Sequence, residues 1–321
     1  MTLLTQANYV PAMSASPQLS VIVGFSSDTI APVARAGYLA ECLGALAEQA
    51  DPPTMEIIVA HHEPIEGLDA VKARFSDVRF LSTPDVVKRV GGREHHDVPR
   101  GRAIAAATGE LIGLLEDHEL PDPRWAASVV EAHRRPDAGI GGAIENGVDR
   151  ALNWAVYFCD FGRYQNPVPA GASAFASDAN VTYKRADLDL VRESWKGAYR
   201  EVPVNDALRA LGKTISLDPT MVVYQNRHAL TFGEALRERY SWGRSYGATR
   251  VTWLTTPKRL AYTALAPVLP ALLLLRMGRR AWQRKRHFGN FLRAVPFIVP
   301  LLMAWSFGEM AGYLAPQRVN G

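Results

Sequence analysis

Four consecutive polar residues, Glu116-Asp117-His118-Glu119, stand where the short apolar run Leu111–Leu115 stops. The run has the length of a β-strand, and in an α/β sheet ligands bind beyond the carboxyl ends of strands. Glu116, Asp117 and His118 emerge there together and offer hard oxygen ligands and an imidazole to a divalent cation. The competing reading is a solvated loop with clustered acids. The weight therefore falls on the elements around them.

Those elements alternate. Leu19–Phe25 reads as a first strand, followed by a helix near Val33–Gln49 with Leu39, Leu43 and Leu46 on one face and Asp51-Pro52-Pro53 at its end. Glu56–Ala60 and Arg79–Leu81 read as second and third strands, and Pro99–Thr108 as an Ala-rich helix closed by Gly109. Asp122-Pro123 opens a helix that runs to about Arg135, with Asp as cap and Pro at the first position. Gly139–Ile144 is another apolar strand, Ala174–Lys184 is strand-like, and Leu208–Gly212 closes a helix on a glycine. Strands at Thr214–Leu217 and Met221–Tyr224 are expected to flank a turn at Asp218-Pro219. Strands separated by helices imply crossover connections, hence an α/β fold with a largely parallel, doubly wound sheet.

Composition agrees with a folded chain: of 321 residues, 48% are apolar and 21% charged, with a net charge of +4. Cys42 and Cys159 have no metal-type spacing and read as inert buried thiols in a reducing compartment. The N-terminus lacks a basic region followed by an apolar core. The C-terminal third changes character. Leu260–Leu275 and Phe291–Leu314 are almost wholly apolar, contain prolines, and flank the basic run Arg276–His287. Against the ~20 residues needed to span a bilayer, the second is long enough and the first marginal. Two full spans would put the basic run across the membrane from the catalytic domain, against the positive-inside tendency. A re-entrant or monotopic hairpin that leaves the arginines on anionic headgroups removes that conflict.

The order of strand Leu19–Phe25, strand Glu56–Ala60, Arg100, Gly109-Glu110 and the acidic triplet is similar to glycosyltransferase family 2. Glu201 followed by Leu208, Gly212 and Asp218-Pro219-Thr220-Met221-Val222-Val223 resembles that family's second half, so the resemblance covers roughly residues 19–250. It implies a GT-A fold with a mostly parallel sheet flanked by helices, a nucleotide-sugar donor, a divalent metal (Mg2+ or Mn2+) and inversion at the anomeric carbon. Glu116, Asp117 and His118 occupy the place of the family's Asp-x-Asp motif. In register, Glu116 and His118 replace the two aspartates, which leaves open which two of the three touch the ion. The imidazole, a softer ligand, weakens the preference for Mg2+ over Mn2+.

Glu201 falls where the family's catalytic base stands, and Asp206 is its competitor with an alternative role as a surface or capping acid. Arg100 matches a basic residue near the donor diphosphate, and Phe25 at the end of the first strand joins the donor contacts. The family's base-binding aspartate has no counterpart in Val59-Ala60-His61-His62-Glu63, so His61 or Glu63 substitutes or the base is held differently. Arg239 and Arg244, in the run Arg237–Arg244, resemble the arginines that close over donor phosphates in membrane-bound members, where the guanidinium fork suits phosphate. The same run also fits an interfacial basic helix. His228 is a possible third ligand, though a lone histidine is more often structural.

The expected organisation is a loose tail over 1–18, a catalytic domain over 19–230, an amphipathic basic linker helix over 231–256 and a membrane-associated helical region over 257–321. The expected activity is transfer of a sugar to a lipid-linked, glycan or other envelope acceptor at the cytoplasmic face of the cell membrane, with membrane lipids as further partners. A nucleotidyltransferase would show a basic Gly-rich loop after the first strand, and Gly24-Phe25-Ser26-Ser27-Asp28 has no lysine or arginine. An inactive membrane scaffold is kept open by His61 and His118 and opposed by Glu116, Asp117, Glu201 and Arg100. Nucleic acid is not an expected partner, because the basic cluster sits between apolar segments and not on a separate module.

Overall fold

The computed structural model describes residues 16–314 apart from Asp28, Pro32, Val90, Gly91, Thr252 and Trp253, so the expected tail lies outside the described residues except for Ser16–Gln18. The first half contains β1 (Leu19–Gly24), β2 (Ala34–Arg35), α1 (Gly37–Ala47), β3 (Met55–His61), β4 (Ile65–Glu66), α2 (Leu68–Arg74) and β5 (Arg79–Ser82). Next come α3 (Glu94–Ala106), β6 (Leu111–Glu116), β7 (Glu119–Pro121), α4 (Trp125–Ala132), β8 (Gly139–Asn146) and α5 (Ala151–Asp160). The catalytic half closes with β9 (Gly171–Ala172), β10 (Asn180–Lys184), α6 (Arg185–Leu190), α7 (Glu201–Ala210) and β11 (Ile215–Gln225). Helices α8 (Phe232–Val251), α9 (Thr256–Leu265), α10 (Leu269–Arg284) and α11 (Phe288–Leu314) follow.

The main sheet runs β5-β3-β1-β6-β10-β8-β11-β7, with β9 beside β11, while β2 and β4 pair separately. Every residue of β1 is buried, as expected of a central strand covered on both faces. Leu39, Cys42, Leu43 and Leu46 of α1 recur at helical spacing and cover one face with Trp125 and Val129 of α4. Ala103 and Ile104 of α3, with Trp195, Tyr199 and Leu208, cover the other.

The sheet is mixed. β5, β3, β1 and β6 are parallel, as expected, but β10 runs antiparallel to both β6 and β8. A parallel neighbour needs a crossover. The connection after β8 makes none, because α5 packs away from the sheet into a third core with Phe291, Ala294 and Ile298 of α11. Two further expectations shift. α3 starts at Glu94 and carries Pro99 inside it. The segment around Asp218-Pro219 is a bulge within one continuous strand, β11, where the register against β8 slips between Asp218 and Val222.

The last helices divide into two kinds. The stretch Thr256–Arg284, interrupted by a 3-10 turn at Ala266–Val268, and the stretch Phe288–Leu314 are both long and apolar enough to cross a membrane. Of the most apolar window of the first, 6% is buried in the protein, against 39% for the second. α11 lies along α8, where Gly243 and Gly247 face Gly308 and Gly312 so closely that backbone meets backbone. Arg286 between α10 and α11 reaches back to Glu145 of β8 at 2.9 Å, and Arg284 donates to the carbonyls of Arg163 and Gln165. The basic connector therefore sits on the catalytic domain.

Candidate active site

Arg93 at the N-cap of α3 and Asp97 and Arg100 on the helix itself organise the site. Arg100 is buried beneath the sheet end and donates to Asp178 at 2.9 Å and to Glu116 at 3.4 Å. Its path requires Gly24 on β1, because a Cβ there would lie 2.5 Å from Arg100 Nε. Arg93 reaches Asp178 at 3.3 Å and Asp97 at 3.4 Å. Asp97, fully buried, accepts from Arg200 Nε at 2.8 Å, and its backbone carbonyl accepts from Tyr199 N at 2.8 Å. Burial would raise the Asp97 pKa, but His96, Arg93 and Arg200 overcome it and hold the carboxyl well below the usual range. These bonds fix the segment that delivers Glu201 as the first residue of α7.

The acidic cluster splits into distinct roles. Glu116 ends β6 opposite Gly24, and His118 Nε2 lies 3.6 Å from Glu116 Oε2. Asp117 is fully buried and accepts from Ser26 N at 2.8 Å, from Ser27 N at 3.0 Å and from the Ser27 hydroxyl. Burial opposes its charge, yet bonds from His118, Ser26 and Ser27 keep its pKa low. Glu119, also buried, accepts from Glu116 N at 2.7 Å and Gln225 Nε2 at 2.6 Å, and burial together with the Glu116 charge pushes its pKa up. Thus Asp117 and Glu119 hold loops, and Glu116 and His118 are the pair on the wall of an open space.

That space is a cavity of about 420 Å³. Glu116, His118, Asp178, Arg93 and Arg227 line it from the catalytic domain, and Trp242, Tyr246 and Trp305 close it from α8 and α11. A second cavity of about 660 Å³ adjoins it and shares Asp160, Tyr246 and Trp305. Glu201 lines the second cavity, and burial, reinforced by the Asp178 charge, raises its pKa to about 7. A carboxylate poised there is able to exchange a proton near neutral pH.

The remaining sequence expectations are placed as follows. Asp206 is exposed on α7, ion-paired with Arg209, and lines neither cavity. Arg239 is buried in an ion pair with Asp160 and lines the second cavity, whereas Arg244 lines neither and its backbone packs on Gly308 and Gly312. Phe25 is a core residue, and His61 is buried with Nδ1 3.0 Å from the His62 carbonyl. Glu63 is exposed and accepts from Ser82 at 2.6 Å. His228 pairs with Glu41 at 2.9 Å and does not line the cavity that Glu116 and His118 line. Next to His61, the rings of His62, His95 and His96 stack edge to face in a chain, and burial lowers His62 to about 4 and His95 to about 3, so both are neutral.

Asp178, Arg93 and Arg227 were not singled out in the sequence. Asp178 carries no local motif. Arg227 binds Glu238 at 2.6 Å and the Ser27 carbonyl at 3.0 Å, joining the first-strand loop to α8.

The model for the family described as Glycosyl transferase family 2 matches residues 32–190, which include α3, the acidic cluster and Asp178. The chain is a glycosyltransferase with a family 2 domain. No curated protein matches this glycosyltransferase by sequence. Among solved structures it is similar to the mannosyltransferase PcManGT from Pyrobaculum calidifontis, in complex with GDP-Man and Mn2+. The TM-score is 0.50 at 16% identity, over 90% of this chain and 86% of that one. It is also similar to TarS 1–349 from S. aureus in complex with UDP, at TM-score 0.42 and 13% identity over 91% of this chain and 90% of that one. The first of these likenesses establishes the GT-A fold of the glycosyltransferase.

Proposed function

We propose that the first cavity takes a nucleotide diphosphate sugar and that Glu201 is the base of an inverting transfer to an acceptor in the adjoining cavity. The observation that carries this reading is the junction itself. Glu201 stands in one cavity, Glu116 and His118 in the other, and Asp178 on the wall of the first raises the pKa of Glu201 in the second. The acceptor oxygen bonds to the anomeric carbon as the bond from that carbon to the phosphate oxygen breaks. The acceptor proton passes to Glu201, and the nucleoside diphosphate leaves with the bonding electrons. Arg93 and Arg227 lie where they meet the negative charge of the diphosphate.

A divalent cation fits Glu116 and His118. Asp117 has both carboxylate oxygens engaged by Ser26 and Ser27, and a cation bound through one or two side chains plus substrate phosphates needs no larger protein cage. Bound there, the cation would neutralise charge on the departing diphosphate, and the imidazole favours Mn2+. The complexes with GDP-Man and Mn2+ and with UDP support a nucleotide-sugar donor.

For membrane attachment, the exposed apolar face of α9 and α10 is the favoured contact: Leu260, Leu265, Val268, Leu272 and Leu275 all point outward. With α11 held along the catalytic unit, the arrangement supports monotopic attachment.

Titration of the detergent-solubilised protein with UDP- and GDP-sugars tests the donor site. One nucleotide class should bind in the presence of Mn2+, and His118→Ala or Glu116→Ala should weaken that binding at least tenfold. Equal affinity with Mn2+ and with EDTA would remove the metal assignment, and no binding of any nucleotide sugar would remove the donor reading. The pH profile tests the link to Asp178. Its negative charge raises the Glu201 pKa, and it also ties up Arg93 and Arg100, which lower it. Asp178→Asn therefore shifts the acidic limb of the rate profile from about pH 7 to lower pH; an unmoved limb would show that Glu201 is not the group being titrated.

A further inference from the structure

The second cavity has a composition that the donor reading leaves unexplained. Five arginines line it, Arg163, Arg239, Arg250, Arg276 and Arg280. Two are matched by acids in the same wall: Arg239 pairs with Asp160, and Arg250 lies 3.5 Å from Glu309 and 2.8 Å from the Tyr313 hydroxyl. Among the described residues, Arg163, Arg276 and Arg280 form no ion pair with a carboxylate, and Arg163, Arg276 and Arg284 all press on Arg280 with like charge. Arg163, stacked on Tyr164 and Phe175, and Arg276 are exposed at the mouth of the cavity beside Arg280, so three guanidinium groups are open to an anion there, and their forked donors suit phosphate oxygens.

The rest of the wall is hydrocarbon. Leu269, Leu273 and Met277 recur at helical spacing on the face of α10 that also carries Arg276 and Arg280, and Leu302 of α11 faces them. On the flank and far side of the same helix, Leu272 and Leu275 are 51% and 72% exposed. One helix thus presents leucines to the surroundings on its outer side and walls the cavity on its inner side. A hydrocarbon tail entering beside α10 meets Leu269 and Leu273 first and the arginines at their end.

Resting on the transfer reading above, we propose that the second cavity is an acceptor site for a lipid-borne phosphate. Arg163, Arg276 and Arg280 hold the phosphate, and Leu269, Leu273 and Leu302 hold the chain. Glu201 in the same wall then accepts the proton of the P–OH group of the bound phosphate monoanion as that oxygen attacks the anomeric carbon and the nucleoside diphosphate leaves, and the shared residues Tyr246 and Trp305 lie between it and the donor. Neither a soluble glycan nor a free phosphate uses both halves of this wall.

Tryptophan fluorescence of the full chain in an uncharged detergent, to which Trp305 contributes among seven tryptophans, is titrated with dodecyl phosphate, dodecanol and inorganic phosphate, and separately with nucleotide sugars. Dodecyl phosphate should bind saturably and at least tenfold more tightly than either dodecanol or inorganic phosphate. The double variant Arg276→Gln/Arg280→Gln should weaken it at least tenfold while donor affinity stays within twofold. Melting of the variant checks that it is folded, and a Leu273→Gln variant should weaken dodecyl phosphate without affecting inorganic phosphate. Equal binding of dodecyl phosphate by the folded double variant overturns the proposal, as does inorganic phosphate binding as tightly as dodecyl phosphate. Arginine-dependent lipid binding without any donor binding would uphold this site and sink the transfer reading; donor binding with no lipid phosphate binding would do the reverse.

Discussion

Glu201→Gln is expected to lower sugar transfer by roughly 10²–10⁴-fold, the usual contribution of a positioned general base, with donor affinity unchanged. Glutamine keeps the shape and the position at the start of α7 and loses only the ability to take a proton. The effect should be confined to turnover because Glu201 lines the second cavity and not the first. In the unsubstituted protein the rate should rise with pH through about 7, because the base works when ionised and burial and Asp178 hold its pKa there. Single-turnover rates across pH 5–9, beside donor titrations, measure both quantities. A Glu201→Gln enzyme within threefold of the parent rate would eliminate Glu201 as base. The exposed, ion-paired Asp206 would then be tested by the same substitution.

How much of this was legible follows from the range over which each feature is encoded. β6 and its polar end were readable because an apolar run and an abrupt stop are local signals, and the structure places Glu116 and His118 on a cavity wall. The buried role of Asp117 was not readable, since its partners Ser26 and Ser27 lie about ninety residues earlier in the chain. Asp178 is invisible for the same reason: its meaning comes from Arg93 and Arg100 at and on α3, and its own stretch, Ala174–Lys184, reads only as strand-like. The direction of β10 is set by where α5 goes, and α5 is held by α11, far downstream. Local pattern announces a strand but not whether the chain crosses the sheet before it. Pro99 suggested a helix start, yet tertiary bonds from Asp97 and Arg93 extend α3 upstream of it. The apolar Phe291–Leu314 run reads the same way in a bilayer or against a protein partner. The discriminating signal was the small-residue spacing Gly308-x-x-x-Gly312, matched by Gly243-x-x-x-Gly247.

That spacing leads to the largest expected structural effect. A Cβ on Gly308 would lie 2.1 Å from the Tyr240 carbonyl oxygen, and one on Gly243 would lie 2.2 Å from that of Trp305. Both contacts are with backbone, which cannot rotate away, so α8 and α11 must separate along the shared stretch. Gly308→Leu inserts a whole side chain there and should cost about 3 kcal/mol or more, the upper end for overpacking. Because Trp242 and Tyr246 of α8 and Trp305 of α11 close the first cavity, the same separation should weaken donor binding at least tenfold. Gly289→Ala serves as the control: it lies in the first turn of α11 with nothing within 4 Å of the added Cβ, and alanine has the better helix propensity. It should melt no lower than the parent and bind donor equally well. If Gly308→Leu melts and binds like the parent, the two helices do not form the cavity wall. α11 would then be free to leave the catalytic unit for the bilayer.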